Sequence, residues 1–524
     1  MADDATEMST NNTGLRVRRE SSFKTLGSGD WKPREPNEYG DFGAQLTNTP
    51  RKPIRIDRQN RKGVLTDLEA PGSWTEDMTY SSFLDMVDLY LFANYRDKGT
   101  FGADSIALIT ISGITAIDDT YTVASGGASC DADDIVFGSG FTNAGNNGLH
   151  VVASSSATTV VVGAAPGLTD EASPPSTATL TRVGHEFAAG DLSVTQPGIG
   201  VAYPYITSAG GKDLTELDIV PGEWVYIGGD AALNKWATAA NNGYARVRSV
   251  TSTVMTFDKT QNTMVTEAGG VLEIRIFLPR VCKNESTAAT IIKKYLQIER
   301  SLGSPDSGSP GNVQGEYIVG GSADQLTIGL PTSEIITTEY SFLGADHETN
   351  DSATGLKSGT RPALQANDGY NSVNHVRRLS LRVNSLTDAN PTSLFTYLKE
   401  VSVKVENNIS LNKAIGVLGG ASTNAGSIDV ELEAEAYFAT VAALAAKRAN
   451  DDVSFDMSIA DQNQGITVDL PLLALGDGLP ELETNEPIML KMTNPAASGE
   501  DVVSTLNHTV LICFFDYLPD AAEA

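Results

Sequence analysis

Metal ligation or acid–base catalysis in this 524-residue chain would have to draw on five histidines and three cysteines. His150, His185, His347, His375 and His508 have no paired spacing and none stands beside a cysteine, so neither a zinc ligand set nor an HExxH helix can be read from them. Cys130, Cys282 and Cys513 lie far apart and read as buried apolar residues of a reducing compartment. Two acidic stretches, DADD at 131–134 and DQNQG at 461–465, offer calcium-type oxygens, but the first lacks spaced ligands and the second a closing Glu. The glycine-rich strings SGSPGNVQG and VVGAAPG lack the Lys-Ser/Thr of a phosphate loop and join no strand to a helix. No serine has the context of a nucleophile elbow. The chain is therefore expected to hold no catalytic, cofactor-binding or metal-binding residue, and to be no enzyme.

Two polar patterns remain. Asn146, Asn147 and Gly148 in TNAGNNGLHVV return as Asn241, Asn242 and Gly243 in TAANNGYARV, each time between apolar, β-branched runs. Asn-Gly supplies the left-handed backbone of a tight hairpin turn, so both triplets are expected to be hairpin turns before they are amide ligand sites. The echo extends outward: Ile135, Val136 and Phe137 align with Trp224, Val225 and Tyr226, Gly140 with Gly229, and Val160, Val161 and Val162 with Val254, Met255 and Thr256. That predicts two tandem copies of one small β-module. The second pattern is RKPIRIDRQNRKG, which crowds Arg51, Lys52, Arg55, Arg58, Arg61 and Lys62 into a chain of net charge −29. These are candidate contacts to an acidic surface of a neighbouring copy, or a solvated loop face. Without interleaved aromatics they do not read as a nucleic-acid patch.

The elements that must carry these residues are mostly strands: 49 glycines and recurring Thr/Val/Ile/Ser alternation predict a mainly β chain with many turns. A pI near 4.5 argues against any broad electrostatic grip on nucleic acid. No apolar run approaches the length of a membrane span, and the acidic start MADDATEMSTNNTG has no secretory h-region, so neither a membrane nor a secretory route is expected. Helical periodicity is confined to two places. In TYSSFLDMVDLYLFANYRDKG, Phe83, Val87, Tyr90, Leu91 and Asn94 share a face while Asp85, Asp88 and Arg96 lie off it. An Ala-rich run after Tyr437 ends at Lys447 and Arg448, which suit a helix C-terminus. A strand, a helix and paired strands thus occur twice, and the β-modules interrupt the first set. The expected division is 1–30 as a disordered or extended amino-terminal arm; 31–103 with 281–344 as a first unit; 104–186 and 187–280 as inserted modules; 345–371 as a linker or long loop; and 372–524 as a second unit.

The carboxyl-terminal segments LKEVSVKVENNISLNKAIGVLGG, GSIDVELEAEAYFATVAALAAKRANDDVSFDMSIADQNQGITVDLPLL and TVLICFFDYLP resemble the tail tube (major tail) proteins of long, non-contractile-tailed, siphovirus-like bacteriophages. Near the start, GAQLTNTPRKPIRIDRQNRKGVLTDLEAPGSWTEDMTYSSFLDMV is similar to the same family. The resemblance implies two tail-tube-type β-sandwich or barrel units, each with a flanking helix, plus two tandem small β-modules inserted in the first unit. It implies a structural virion protein, assembled in the host cytoplasm, that polymerises as stacked rings into an acidic conduit through which DNA passes without specific binding. The implied partners are further copies, in a ring of three pseudo-sixfold chains or a hexamer, and the tape measure, terminator and baseplate proteins; no cofactor is implied. The modules depart from the family's simple form and are expected to project outward. Two rival readings are another phage structural protein (a baseplate hub or a capsid-associated protein) and a carbohydrate-binding β-module protein. Against the latter, Trp224 and Trp236 are the only tryptophans of the insertion, and Trp224 lies in a strand run.

Overall fold

The alternation in DVELEAEAY shows how the main body is built. Strand Asp429–Tyr437 buries Val430, Leu432, Ala434 and Ala436 and turns Asp429, Glu431, Glu433 and Glu435 to the opposite face. It is one of eight strands paired antiparallel in the order Pro36–Phe42, Arg61–Asp77, Thr337–Gly344, Gln314–Leu330, Leu398–Glu406, Asp429–Tyr437, Met489–Ala497 and Pro480–Glu481. The computed structural model describes residues 13–54, 56–57, 59–96, 108–163, 167–198, 201–303, 313–350, 355–364, 368–476, 478–482 and 484–523.

A second layer closes the core. Gly14–Ser22 pairs with Tyr295–Gly303, which pairs with the first half of Gln314–Leu330. In the other half of the chain Val376–Val383, Val453–Asp461, Gln464–Leu473, Leu511–Phe515 and Arg280–Lys283 follow one another across the sheet. A single hydrophobic core runs between the layers and takes in the helix Tyr80–Tyr90. That helix starts at a capping box, in which Thr79 accepts from the Ser82 N–H and Ser82 accepts from the Thr79 N–H, and it buries Phe83, Val87 and Tyr90. Asp88, expected off the apolar face, is also buried, because Arg19 at 2.6 Å and Lys294 at 2.7 Å neutralise it there.

Two stretches of the body share a strand–helix pattern. Arg61–Asp77 leads into the helix Tyr80–Tyr90 as Asp429–Tyr437 leads into the helix Ala442–Ala449. Thr337 lies opposite Asp77 and Gly329 just as Met489 lies opposite Tyr437 and Glu481. The segments expected as a disordered or extended arm and as a linker or long loop are both held against the body. Within the amino-terminal arm, Gly14–Ser22 is a strand because Leu15 and Val17 alternate into the core, which a reading by polar composition overlooks. Within the expected linker, Asp346–Asn350 pairs with 315–319, the Trp31 N–H donates to the Thr360 carbonyl, and Arg361 forks onto buried Glu299 at 2.6 and 2.9 Å.

Residues 108–277 form a separate 13-stranded sheet with two cores of its own. Six strands, Leu108–Thr115, Thr120–Val123, Asp134–Ser139, Gly148–Ser156, Thr159–Val162 and Thr179–Glu186, pair in the order first, second, fifth, fourth, third, sixth. The sixth returns to the first, so the set closes as a small barrel. Leu192–Thr195, Tyr205–Ser208, Trp224–Ile227, Gly243–Val250 and Val254–Thr260 repeat that order. There the sixth place is shared by Arg275–Phe277, beside the third strand, and Glu267–Ala268, beside the first. The two barrels join where Thr179–Glu186 pairs with Arg275–Phe277.

Strand Leu511–Phe515 has two apolar faces. Ile512 and Phe514 belong to the main core, whereas Leu511, Cys513 and Phe515 share a further core with Trp224, Tyr226, Tyr244 and Phe277 of the second barrel. The order of layers is therefore the face bearing Glu431 and Glu433, the eight-stranded sheet, the main core, the second layer, and the barrels.

Candidate functional site, an acidic sheet face

On the eight-stranded sheet, the side chains that alternate with the core residues make one broad polar face. Opposite buried Ala70 and Trp74 stand Glu69, Ser73, Thr75 and Asp77; opposite Tyr340 stand Glu339 and Ser341; opposite Val403 and Val405 stand Ser402, Lys404 and Glu406. Asp429, Glu431, Glu433 and Glu435 form a row along one strand. Four lysines lie among these carboxylates: Lys399, 2.9 Å from Glu435; Lys404, 2.7 Å from Glu406 and opposite Glu431; Lys491, opposite Glu435; and Lys413, 3.3 Å from Glu69. The Lys404 ammonium holds its proton above the usual range because of its hydrogen bond to Glu406 and the nearby charges of Glu431 and Glu433. Lys399 is raised likewise by its bond to Glu435. Chemically the face, richer in carboxylates than in ammonium groups, can repel a polyanion. The alternating Glu spacing of 429–435 is the sequence signal that would have found it.

From this sheet two hairpins protrude. Gln45–Arg51 pairs with the first part of Arg61–Asp77, and Ser410–Asn412 pairs with Ser422–Asn424 at the equivalent place in the second half. Lys413 links them, 2.8 Å from Asp67 and 3.3 Å from Glu69. Of the expected basic contacts, Arg51, Lys52, Arg61 and Lys62 are exposed near the tip of the first hairpin, whereas Arg55 and Arg58 lie outside the described residues. Arg51 stands opposite Arg61, a like-charge pairing that costs the hairpin stability by itself. Exposed Leu46, Ile54, Ile56, Val64 and Leu65 accompany the charges.

The Asn-Asn-Gly triplets occupy equivalent loops between the third and fourth strands of the barrels, but not as tight two-residue turns. In each, a 3-10 turn ends at the first Asn, the second Asn is extended, and only Gly148 and Gly243, both at φ 122°, are left-handed. The amides do backbone work instead. Asn147 accepts from the Phe141 N–H at 2.9 Å and donates to the Phe141 carbonyl at 3.1 Å; Asn242 does the same with Trp236 at 2.9 and 3.0 Å. Asn146, fully buried, donates to Glu171 at 2.8 Å and accepts from the Thr169 N–H at 2.8 Å; Asn241, also fully buried, donates to Glu267 at 2.7 Å and accepts from the Val265 N–H at 2.8 Å. Burial opposes the charge of Glu171, yet bonds from Asn146, Thr142 and Asn143 prevail and hold its carboxyl below the usual range. No short-range pattern reveals that Glu171 and Glu267 complete these loops, because each lies some way downstream of its triplet.

The remaining candidates are dispersed. His185 contacts Asp134 at 3.0 Å, His347 contacts Glu316 at 3.1 Å, and among the described residues no group of His, Cys, Asp and Glu could hold a metal ion. The three cysteines are buried, as are Trp224 and Trp236. Where the second barrel meets the body there is a buried ionic cluster. Arg246 bonds Asp258 at 2.8 and 3.0 Å and Asp469 at 2.9 Å; Lys259 reaches Asp456 at 3.1 Å and Asp469 at 3.3 Å; Arg378 pairs with Asp456 and lies over the Trp224 ring. His508 is buried within reach of these charges, and desolvation pulls its pKa down to about 3.

Compared with known proteins, the chain matches along nearly its whole length: the sequence profile of the family described as "Phage tail tube protein" covers residues 10–509. No curated protein matches it.

Proposed function

The chain belongs to the phage tail tube protein family, a structural component of the virion tail, and from that premise we propose that it is the repeating subunit of a long, non-contractile tail tube. Its copies polymerise in the host cytoplasm as stacked rings around a lumen through which DNA is delivered without specific binding. The observation that carries this reading is the acidic face of the eight-stranded sheet: turned to the lumen, the row Asp429, Glu431, Glu433 and Glu435 repels phosphate all along the channel. We assign 31–103 with 281–344 and 372–524 to two tube units, so that three chains close a pseudo-sixfold ring. The inserted barrels of 104–186 and 187–280 face outward, since they pack behind the layer farthest from the acidic face. The basic hairpin tip reaches an acidic surface of the adjacent ring, which supplies counter-charge to Arg51 and Arg61, exposed and opposite each other in one chain. Tape measure, terminator and baseplate proteins are the further partners, and the chain has no catalytic role.

Electron microscopy of the purified protein tests the proposal. Hollow tubes or rings are expected, with the barrels as knobs on the outside. A monodisperse monomer at all concentrations, or barrels lining the channel, would overturn it.

A further inference from the structure

Lys283, at the end of the strand Arg280–Lys283, is a buried ammonium without a counter-ion. It is 9% exposed, and its side chain donates to the neutral Oδ1 of Asn507 at 2.5 Å. Among the described residues no carboxylate stands within ion-pairing distance of it. The other buried cations there, Arg34, Arg182, Arg246, Lys259, Arg280 and Arg378, each have a carboxylate partner. The carboxylates near Lys283 are engaged elsewhere. Buried Glu223 pairs with Arg96 at 2.7 Å and accepts from the Val220 N–H at 2.9 Å, and Glu285 accepts from the Thr290 hydroxyl at 3.1 Å. Burial pulls the Lys283 pKa below the ordinary lysine range, and Arg96 adds to this, against the opposing pull of Glu285 and Glu223. A charge buried without a partner costs stability.

Lys283 lines a cleft of about 680 Å³ where four parts of the chain meet. These are residues 94–96 after the helix Tyr80–Tyr90, Val220 and Pro221 of the second barrel, the loop 285–292, and Thr505 and Asn507 before the last strand. The size is that of a small-molecule site. Its wall offers the Lys283 ammonium, the Arg96 guanidinium, one carboxylate from Glu285, and the neutral donors and acceptors of Thr505 and Asn507. Pro221 and Ile292 add an apolar flank. A doubly charged anion would be repelled by Glu285. A singly charged carboxylate bearing hydroxyls would meet Lys283 with its charge and Glu285 with a hydroxyl donor.

We propose that this cleft binds a small hydroxylated carboxylate, the chemistry of a sugar acid, with Lys283 holding its charge. Thr505 and Asn507 bond its neighbouring oxygens, and Glu285 accepts from a hydroxyl. The site lies within one chain and does not depend on the tube reading.

Isothermal titration calorimetry and thermal melting of the full chain with glucuronate and galacturonate test it. At least one is expected to bind and to raise the melting temperature. Acetate, which has no hydroxyl, and inorganic phosphate, which Glu285 repels, should bind about tenfold more weakly or worse. Two variants separate binding from folding. Lys283→Met is expected to weaken binding of the sugar acid about tenfold or more, yet to melt no lower than the parent protein in ligand-free buffer, because it removes an unpaired buried charge. Asn507→Asp supplies the ammonium with a carboxylate from the chain itself, so it too should weaken binding, and should raise the melting temperature. Binding of neither sugar acid, phosphate binding as tight as theirs, or unchanged affinity in both variants would overturn the site. A large fall in melting temperature for Lys283→Met would make the ammonium a structural group and overturn it equally.

Discussion

Asn146 and Asn241 each hold a backbone N–H and a carboxylate that have no other reason to meet. Asn146→Ala or Asn241→Ala is expected to lower stability by about 1–3 kcal/mol, because a partly buried N–H is left unpaired; urea unfolding measures it, and an unchanged midpoint would count against this role. His508 adds a pH dependence. Its folded pKa of about 3 lies below the ordinary 6.5, so between those values the unfolded chain binds the proton and the folded chain does not. Stability is then full above pH 6.5 and falls as the pH drops through the window, by up to about 1.4 kcal/mol per unit. The groups around it, Arg246, Lys259 and Lys283 against Asp469, do not alter the sign. His508→Leu should flatten the acid limb of a stability profile relative to the parent protein; identical limbs would refute the assignment. None of this could be read from the sequence, where His508 is one isolated histidine and Glu171 one carboxylate among many.

Helices and most strands were legible because their signals are local. Phe83, Val87 and Tyr90 mark a face at steps of three and four, and the Ile135 and Trp224 runs are apolar in equivalent places. What was not legible depends on partners distant in sequence. Leu15 and Val17 make a strand only because Tyr295–Gly303 lies beside them, and Arg361 anchors its segment only because Glu299 is buried there. The same holds for the inserted barrels, which read as an appendage but share a core with Leu511, Cys513 and Phe515. Replacing 108–277 by a short link is therefore expected to give an aggregating body, with those apolar side chains exposed and Asp469 stripped of Arg246 and Lys259. A soluble, cooperatively folded product in sedimentation and melting experiments would contradict that. At the hairpin, Arg51→Glu/Arg61→Glu should leave the melting temperature nearly unchanged and block the stacking of rings, because both side chains are exposed. Tubes of normal length in micrographs would refute the contact.

For the whole molecule, the net charge of −29 was visible at once, but its placement was not. Which carboxylates share a face follows from strand register, and register is set by pairings such as Glu431 with Pro495 that no local pattern announces. Reversing that face with Glu431→Lys, Glu433→Lys and Glu435→Lys is expected to leave the fold intact and make assembled tubes retain DNA in a salt-dependent manner. Retention equal to that of the parent protein in a filter assay would argue against a lumenal position. The pairing of 325–330 with 401–406 joins the two stretches assigned above to tube units. In the ring proposed above, with two units tethered in each chain, every second contact forms at an effective concentration set by the connecting segment, on the order of millimolar, and not at that of free chains. On that reading units enter a ring only in twos, and parity forbids any ring with an odd number of them.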